Sequence, residues 1–278
     1  MGLIVVTGAS GRLGGRIARR LAAEGLSLRL VVRDPSRAPD LPGASVAVAE
    51  YGDRDAVRRA LDGAETVLMV SASESADRVD RHRAFIDAAA DAGAGHLVYT
   101  SFVGAAPDSV FTLARDHWAT EQHLRASGLT WTFLRDNLYA DFLPQMVGED
   151  GVIRGPAGDG RVAVVAQDDI VDAAVAVLRD PAPHAGRTYD LTGPEALSFA
   201  EMAEIITAQT GRAVRYHDET LEEAYASRSH YGAPDWQVDA WVSTYTAVAS
   251  GEVSAVSPDV PRLTGRPATS LAELLASR

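Results

Sequence analysis

Short apolar runs alternate with helical stretches along the first half of this chain. Leu3-Ile4-Val5-Val6 leads into a glycine-rich turn, 7–14, and then into apolar residues at helical spacing, Ile17, Ala18, Leu21 and Ala22. A second apolar run, 28–32, stops at Arg33. The same rhythm predicts strands at 45–49, 66–70, 96–100 and 130–134. It predicts helices at 53–61, capped by Asp53, at 76–92 and at 112–126, the last stopped by Gly128. Such alternation predicts a parallel sheet with helices on both faces, a doubly wound α/β domain. Ligand-binding loops then lie at the carboxyl ends of the strands, here 7–14, Arg33, 51–53, 71–73, 101–104 and 136–139.

After residue 135 the rhythm loosens. The Gly- and turn-rich stretch 148–160 reads as a short hairpin. A helix follows at 168–178, capped by Asp168 or Asp169, then a strand at 188–191 returning to the sheet. Ser198 and Glu201 form a capping box for a helix at 198–210. The region 218–251 reads as helical and holds Tyr225, Tyr231, Trp236, Trp241 and Tyr245. These aromatics serve either to stack on a flat substrate or as lobe core. The expected division is a first domain over 1–135, joined by the returning segment 161–192, and a smaller α/β lobe over 136–160 and 193–278.

The opening strand, turn, helix and strand have the layout of a dinucleotide-binding βαβ unit, so the expected fold class is Rossmann-type. Each glycine of Gly8-x-x-Gly11-x-x-Gly14 has a physical job. Gly8 allows the tight turn, Gly11 lets backbone approach a pyrophosphate, and Gly14 lets the helix pack closely on the strand. Thr7, Ser10, Arg12 and Leu13 complete the expected loop. An NAD site wants an acidic residue at the end of the second strand. This chain has Arg33, with Arg37 one turn later, which suits the 2′-phosphate of NADP(H). The competing reading leaves Arg33 solvated and gives Asp34 the acidic role.

Composition narrows the chemistry. The 278 residues carry a net charge of −12, which disfavours nucleic acid and anionic membranes as partners. No apolar stretch approaches a membrane span, and no secretory leader is evident at Met1, so a cytoplasmic protein is expected. There is no Cys, hence no thiolate nucleophile. All 26 basic residues are Arg, so neither a Schiff base nor a Tyr-x-x-x-Lys acid/base pair can form. No metal site is expected, because His117 and His123 do not share a helix face. Without a strong acid, ordinary ketone chemistry is disfavoured. A quinone or an extended cationic dye gives a delocalised or neutral product, and orientation supplies much of the effect. His117 is a candidate proton donor; the alternative is a half-buried histidine bonded to the backbone.

Several segments now converge. The glycine loop 7–14, Val32-Arg33-Asp34-Pro35, Tyr51-Gly52-Asp53, Tyr99-Thr100-Ser101, 117–121, 134–139 and Ala157-Gly158-Asp159-Gly160 resemble, in order, the NmrA-like atypical short-chain dehydrogenase/reductases. Within them the match is to type-2 NADPH:quinone oxidoreductases and triphenylmethane dye reductases. It extends to Ser250-Gly251-Glu252 and Leu263-Thr264-Gly265. The resemblance implies NADPH as cofactor and a quinoid or aromatic small-molecule substrate, with monomers or homodimers among relatives. It places Gly8, Gly11, Arg12 and Gly14 on the pyrophosphate and Arg33 and Arg37 on the 2′-phosphate. Asp53, Ser71, Ala72, Ser73, Thr100 and Ser101 would lie along the cofactor. Asn137 and Tyr139 would sit near nicotinamide and substrate and join His117 as the catalytic candidates. Asp136 departs from the Asn common among relatives. The family also implies two alternatives: a non-catalytic NADP(H) sensor acting on a partner protein, and a tailoring reductase of secondary metabolism.

Overall fold

The computed structural model describes residues 2–277. Its main sheet has seven strands: β1 (Leu3–Thr7), β2 (Leu28–Val32), β3 (Ala44–Val48), β4 (Ala64–Met69), β5 (His96–Phe102), β6 (Thr130–Asp136) and β9 (Arg187–Leu191). Their order is β3-β2-β1-β4-β5-β6-β9, and the pairings that join β3, β2, β1, β4 and β5 are all parallel. The helices that connect the strands are α1 (Arg12–Ala23), α2 (Arg54–Ala60), α3 (Arg78–Asp91), α4 (Thr112–Ala126) and α5 (Gln167–Arg179). The fold is Rossmann-like α/β. Parallel strands covered on both faces must be apolar on both, and β5 is buried at every residue. Helix α1 buries Leu13, Ile17, Ala18 and Leu21 along one stripe.

The chain divides into two compact units. The first comprises 1–101, 116–135 and 171–189, and the second 102–115, 136–170 and 190–278. These boundaries differ from the expected division at 102–115 and 161–170, and the two units are nearly equal in size. Phe102 and Phe111, with ring centroids 4.9 Å apart, belong to the second unit's core with Phe199, Tyr245 and Val253. Tyr99, Phe85 and Phe133 belong to the core of the first.

The second unit holds β7 (Val152–Gly155), β8 (Arg161–Val162), β10 (Leu197–Ser198) and β11 (Arg215–Asp218), with α6 (Phe199–Thr210), α7 (Leu221–Arg228), α8 (Asp235–Ser250), α9 (Asp259–Thr264) and α10 (Leu271–Ala276). The expected hairpin at 148–160 does not form. β7 pairs in parallel with β11, and β8 pairs antiparallel with β10. At Gly155 the ring of Tyr245 occupies the space that any Cβ would need, so that glycine serves tertiary packing rather than a turn. The predicted helix at 218–251 is broken. Asp218 ends β11, Gly232 takes a left-handed backbone, and Pro234 caps α8. The capping box of Ser198 and Glu201 is present on α6. Trp236 and Trp241 are half-buried, Tyr245 is buried, and Tyr225 and Tyr231 are exposed.

Two acidic residues tie distant segments of this unit. The Glu252 carboxylate accepts from the Val110 N–H at 2.9 Å and the Ser109 hydroxyl at 3.1 Å. Asp169 does not cap α5, and neither does Asp168; both lie in its first turn. The Asp169 carboxylate is fully buried and accepts from the Thr269 N–H (2.7 Å), the Thr269 hydroxyl (2.9 Å) and Arg266 (2.8 Å). The Gln167 N–H at the helix start is bonded instead by the Asp141 carboxylate at 2.8 Å. No helix of the described residues is long and apolar enough to cross a membrane.

Removing a buried carboxylate that satisfies several donors leaves them orphaned. Asp169→Ala should therefore destabilise the protein by about 3–5 kcal/mol in urea unfolding. A change below about 1 kcal/mol would mean that the donors find other partners.

Candidate functional site

The strand order reverses between β1 and β4, the place where doubly wound sheets take ligands at the carboxyl ends of their strands. A cleft of about 360 Å³ opens there, within the first unit. Its lining comes from the loop after β1 (Gly8, Ser10, Gly11, Arg12, Leu13, Gly14), the end of β2 (Val31, Val32, Arg33, Arg37), the end of β3 (Ala49, Glu50, Tyr51), the segment after β4 (70–75) and Arg81.

The floor of the cleft is bare backbone. Gly8 has φ +61°, and the Gly11 N–H donates to the Gly8 carbonyl oxygen at 2.8 Å. A Cβ on Gly14 would stand 2.6 Å from the Gly8 carbonyl oxygen and 2.7 Å from that of Thr7. No side chain caps Gly11, so the amino end of α1 offers its N–H groups and positive dipole end to an anion. At the rim, Arg33 and Arg37 are both exposed. Asp34 is turned to another task. Its carboxylate accepts from the Ser36 hydroxyl (2.7 Å) and the Ser36 N–H (2.9 Å), and these bonds hold it below the usual carboxylate range. Asp34 thereby caps the short 3-10 turn Pro35–Arg37 that brings Arg37 to the cleft.

Of the expected cofactor residues, Gly8, Ser10, Gly11, Arg12, Leu13, Gly14, Arg33, Arg37, Ser71, Ala72 and Ser73 line the cleft. Thr7, Asp53, Thr100 and Ser101 do not, because their short side chains are used by the protein itself. Thr7 Oγ1 accepts from the Val70 N–H at 2.9 Å and pairs with the Tyr51 hydroxyl, which donates to the Val70 carbonyl oxygen. Thr100 Oγ1 accepts from the Ser71 N–H at 2.8 Å. Ser101 donates to Glu121 at 2.7 Å, and Asp53 caps α2 through the Ala56 N–H. Glu50, Glu74, Ser75 and Arg81 also line the cleft, and the sequence reading did not include them. Arg81 is held by Asp77 (2.7 Å) and Glu50 (3.4 Å), a pairing across 31 residues that no motif announces.

The catalytic candidates fall elsewhere. His117 does not line the cleft. Its ring is buried on α4, with Nε2 3.0 Å from Arg78 and Nδ1 2.9 Å from the Tyr99 hydroxyl. Burial, then the Arg78 cation, holds its pKa well below the ordinary imidazole value. A buried imidazole held neutral beside a cation is poorly suited to the expected role of proton donor. Asn137 is fully buried in the second unit, donating to the Val253 carbonyl oxygen (2.9 Å) and accepting from the Leu138 N–H (2.8 Å). Tyr139 is half-buried and donates to Asp136 Oδ2 at 2.7 Å. Asp136 is itself 3% exposed, and its Oδ1 has no hydrogen-bond partner. Burial pushes its carboxyl up to about 7, against the opposing bond from Tyr139.

A family model decides what this arrangement belongs to: the NmrA-like family matches residues 1–233. The chain belongs to the NmrA-like family. This NmrA-like protein is 34% identical to an NAD(P)H azoreductase of Xenophilus azovorans over 276 residues, 98% of this chain and 96% of that protein. Its fold superposes on an NADPH-dependent quinone oxidoreductase of Escherichia coli complexed with NADPH, with TM-score 0.90, 33% identity and 99% of both chains covered. It likewise matches the triphenylmethane reductase of Citrobacter sp. complexed with NADP(H), with TM-score 0.87, 29% identity and 99% of both chains covered.

The Asp136 carboxyl gives a signed prediction. Its folded pKa lies above the unfolded carboxyl value, so the stability it contributes is full below about 4 and is lost as pH rises through about 7. Asp136→Asn stays neutral throughout. It should be more stable than the parent by about 3 kcal/mol at about pH 8, with the gain vanishing towards about pH 4, in paired urea titrations. A gain that is flat with pH would contradict a buried titrating carboxyl at 136.

Proposed function

We propose that this protein is an NADPH-dependent oxidoreductase that transfers hydride to a quinone or a similar conjugated, polycyclic aromatic electrophile. One observation carries the choice of cofactor: the glycine cradle at the end of β1 is joined by Arg33 and Arg37 at the rim, while Asp34 is occupied by Ser36. The residues present fit the group. Backbone at Gly8, Gly11 and Gly14 and the amino end of α1 hold the pyrophosphate. Arg33 and Arg37 hold the 2′-phosphate through charge-assisted bonds. Ser71 and Ser73 line the same cleft. When bound, the reduced nicotinamide supplies the hydride.

The proton side of the reaction follows from what this chain lacks. With no Lys anywhere and His117 locked between Arg78 and Tyr99, neither the Tyr-x-x-x-Lys pair nor an imidazolium serves as acid. Asp136 and Tyr139 form a hydrogen-bonded pair of the second unit in which burial holds the carboxyl proton to near neutrality. Asn137 holds the backbone beside them. A weak acid suffices for an acceptor that spreads the added charge over a conjugated system. The azo, quinone and triphenylmethane relatives all act on acceptors of that kind, which supports the substrate class.

Arg33→Ser should raise KM for NADPH by roughly 10- to 100-fold and leave KM for NADH within about two-fold, since the lost partner is the 2′-phosphate. The assay is loss of the NADPH absorbance band with a panel of quinones and azo dyes. Equal effects on both nucleotides would reject the phosphate role. Tight NADPH binding with no turnover across the panel would favour the sensor.

A further inference from the structure

Behind the 70–75 wall of the cleft lie four buried titratable side chains that the proposed reaction does not use: Arg78, His82, Tyr99 and His117. Two of them grip the backbone of one residue. The Ala72 N–H donates to His82 Nε2 at 2.9 Å, and Arg78 Nε donates to the Ala72 carbonyl oxygen at 2.9 Å. Ala72 itself lines the cleft. The preceding peptides are tied in the same manner, Val70 to Thr7 and Ser71 to Thr100.

The network behind this grip has one proton arrangement. His82 Nε2 accepts, so its proton sits on Nδ1 and donates to Thr120 Oγ1 at 2.9 Å. Thr120 donates onward to the Asp116 carbonyl oxygen at 2.8 Å. Arg78 Nη2 can only donate, so His117 Nε2 accepts and His117 Nδ1–H donates to the Tyr99 hydroxyl oxygen. Arg78 also meets the Asp116 carboxylate at 3.4 Å. Helix α3 is thereby bonded to the wall through both backbone polar groups of Ala72, and α4 braces the two side chains that make those bonds.

We propose that Arg78 and His82 are positioning residues for the dinucleotide, setting the 70–75 wall by holding the N–H and the carbonyl of Ala72, one from each of two successive peptide groups. The inference rests on reading the cleft as the NADPH site. Neither side chain touches the cofactor; each acts through Ala72. A buried N–H left without its acceptor reorients or draws in water, and the wall moves with it.

The test is NADPH affinity, read by fluorescence titration without substrate, alongside thermal melting of each ligand-free variant. His82→Leu should raise Kd roughly ten-fold with kcat little changed. His82→Gln, whose amide oxygen can accept and whose NH₂ can donate, should return Kd to within about two-fold of the parent. His96→Leu is the control: His96 is also buried in the first unit but bonds Thr132, away from the wall, so it should lose stability and keep its Kd. If His82→Leu does not fold, Thr120→Val loosens the same imidazole more mildly and should raise Kd about three-fold. A parent protein that does not bind NADPH would overturn the reading of the cleft, and the clamp with it. A parent that binds, with His82→Leu or Thr120→Val binding equally well, would overturn the clamp alone. So would a His96→Leu variant that weakens binding as much as His82→Leu.

Discussion

The contact on which the site depends is the approach of α1 to the end of β1. At Gly14 the helix backbone lies so near the carbonyls of Thr7 and Gly8 that a methyl group would collide with both. That closeness gives the helix a start without a side-chain cap, at the carboxyl end of a central strand. A capped helix would have spent its first N–H groups on its own side chain. The uncapped one leaves them to the cleft, beside a turn with no Cβ in the way. The suitability of this cleft for an anion is a consequence of backbone packing.

The same economy governs the other walls. Thr7, Thr100, Arg78 and His82 each bond backbone of the segment after β4 from behind, and Tyr51, itself part of the cleft lining, bonds it from the β3 side. A loop at the end of a parallel strand has lost its ladder partners, and its buried polar groups still need satisfying. Side chains from four neighbouring elements meet that need. This is why several residues with the chemistry of ligand contacts stand one layer behind the ligand's place.

Much of the cleft was legible because its lining is local. Gly8, Gly11, Gly14 and Arg33 do their work within a single strand-turn-helix-strand stretch, where spacing states geometry. Arg37 is legible for the same reason, and Asp34 reads ambiguously until its bonds to Ser36 are seen. What the sequence could not show is long-range. Glu50 and Arg81 meet across the cleft rim, Gly155 makes room for Tyr245, and β7 finds β11 some 60 residues on. The stretch 148–160 has the composition of a hairpin, yet Gly151, Gly155 and Gly160 answer to a distant ring and distant carbonyls. Capping was read well where the box is complete, at Ser198 and Glu201, and misread at Asp168 and Asp169, where a buried aspartate joins α5 to Thr269 and Arg266 instead.

His117 shows sequence pattern and burial pulling in opposite directions. From sequence, a histidine on the helix that carries the acid in typical short-chain dehydrogenases is the natural substitute for a missing Tyr and Lys. In the fold that position faces a buried arginine, and a cation at hydrogen-bond distance makes a second cation unfavourable. Histidine is kept neutral there, and its value lies in accepting on one nitrogen while donating on the other. The carboxyl at Asp136 shows the converse. It is buried with one oxygen unpartnered and no cation among the influences on its ionisation, so it holds its proton to near neutrality. Burial without a compensating charge drives both groups to their neutral forms. For an imidazole that ends acid function at neutral pH, and for a carboxyl it creates it.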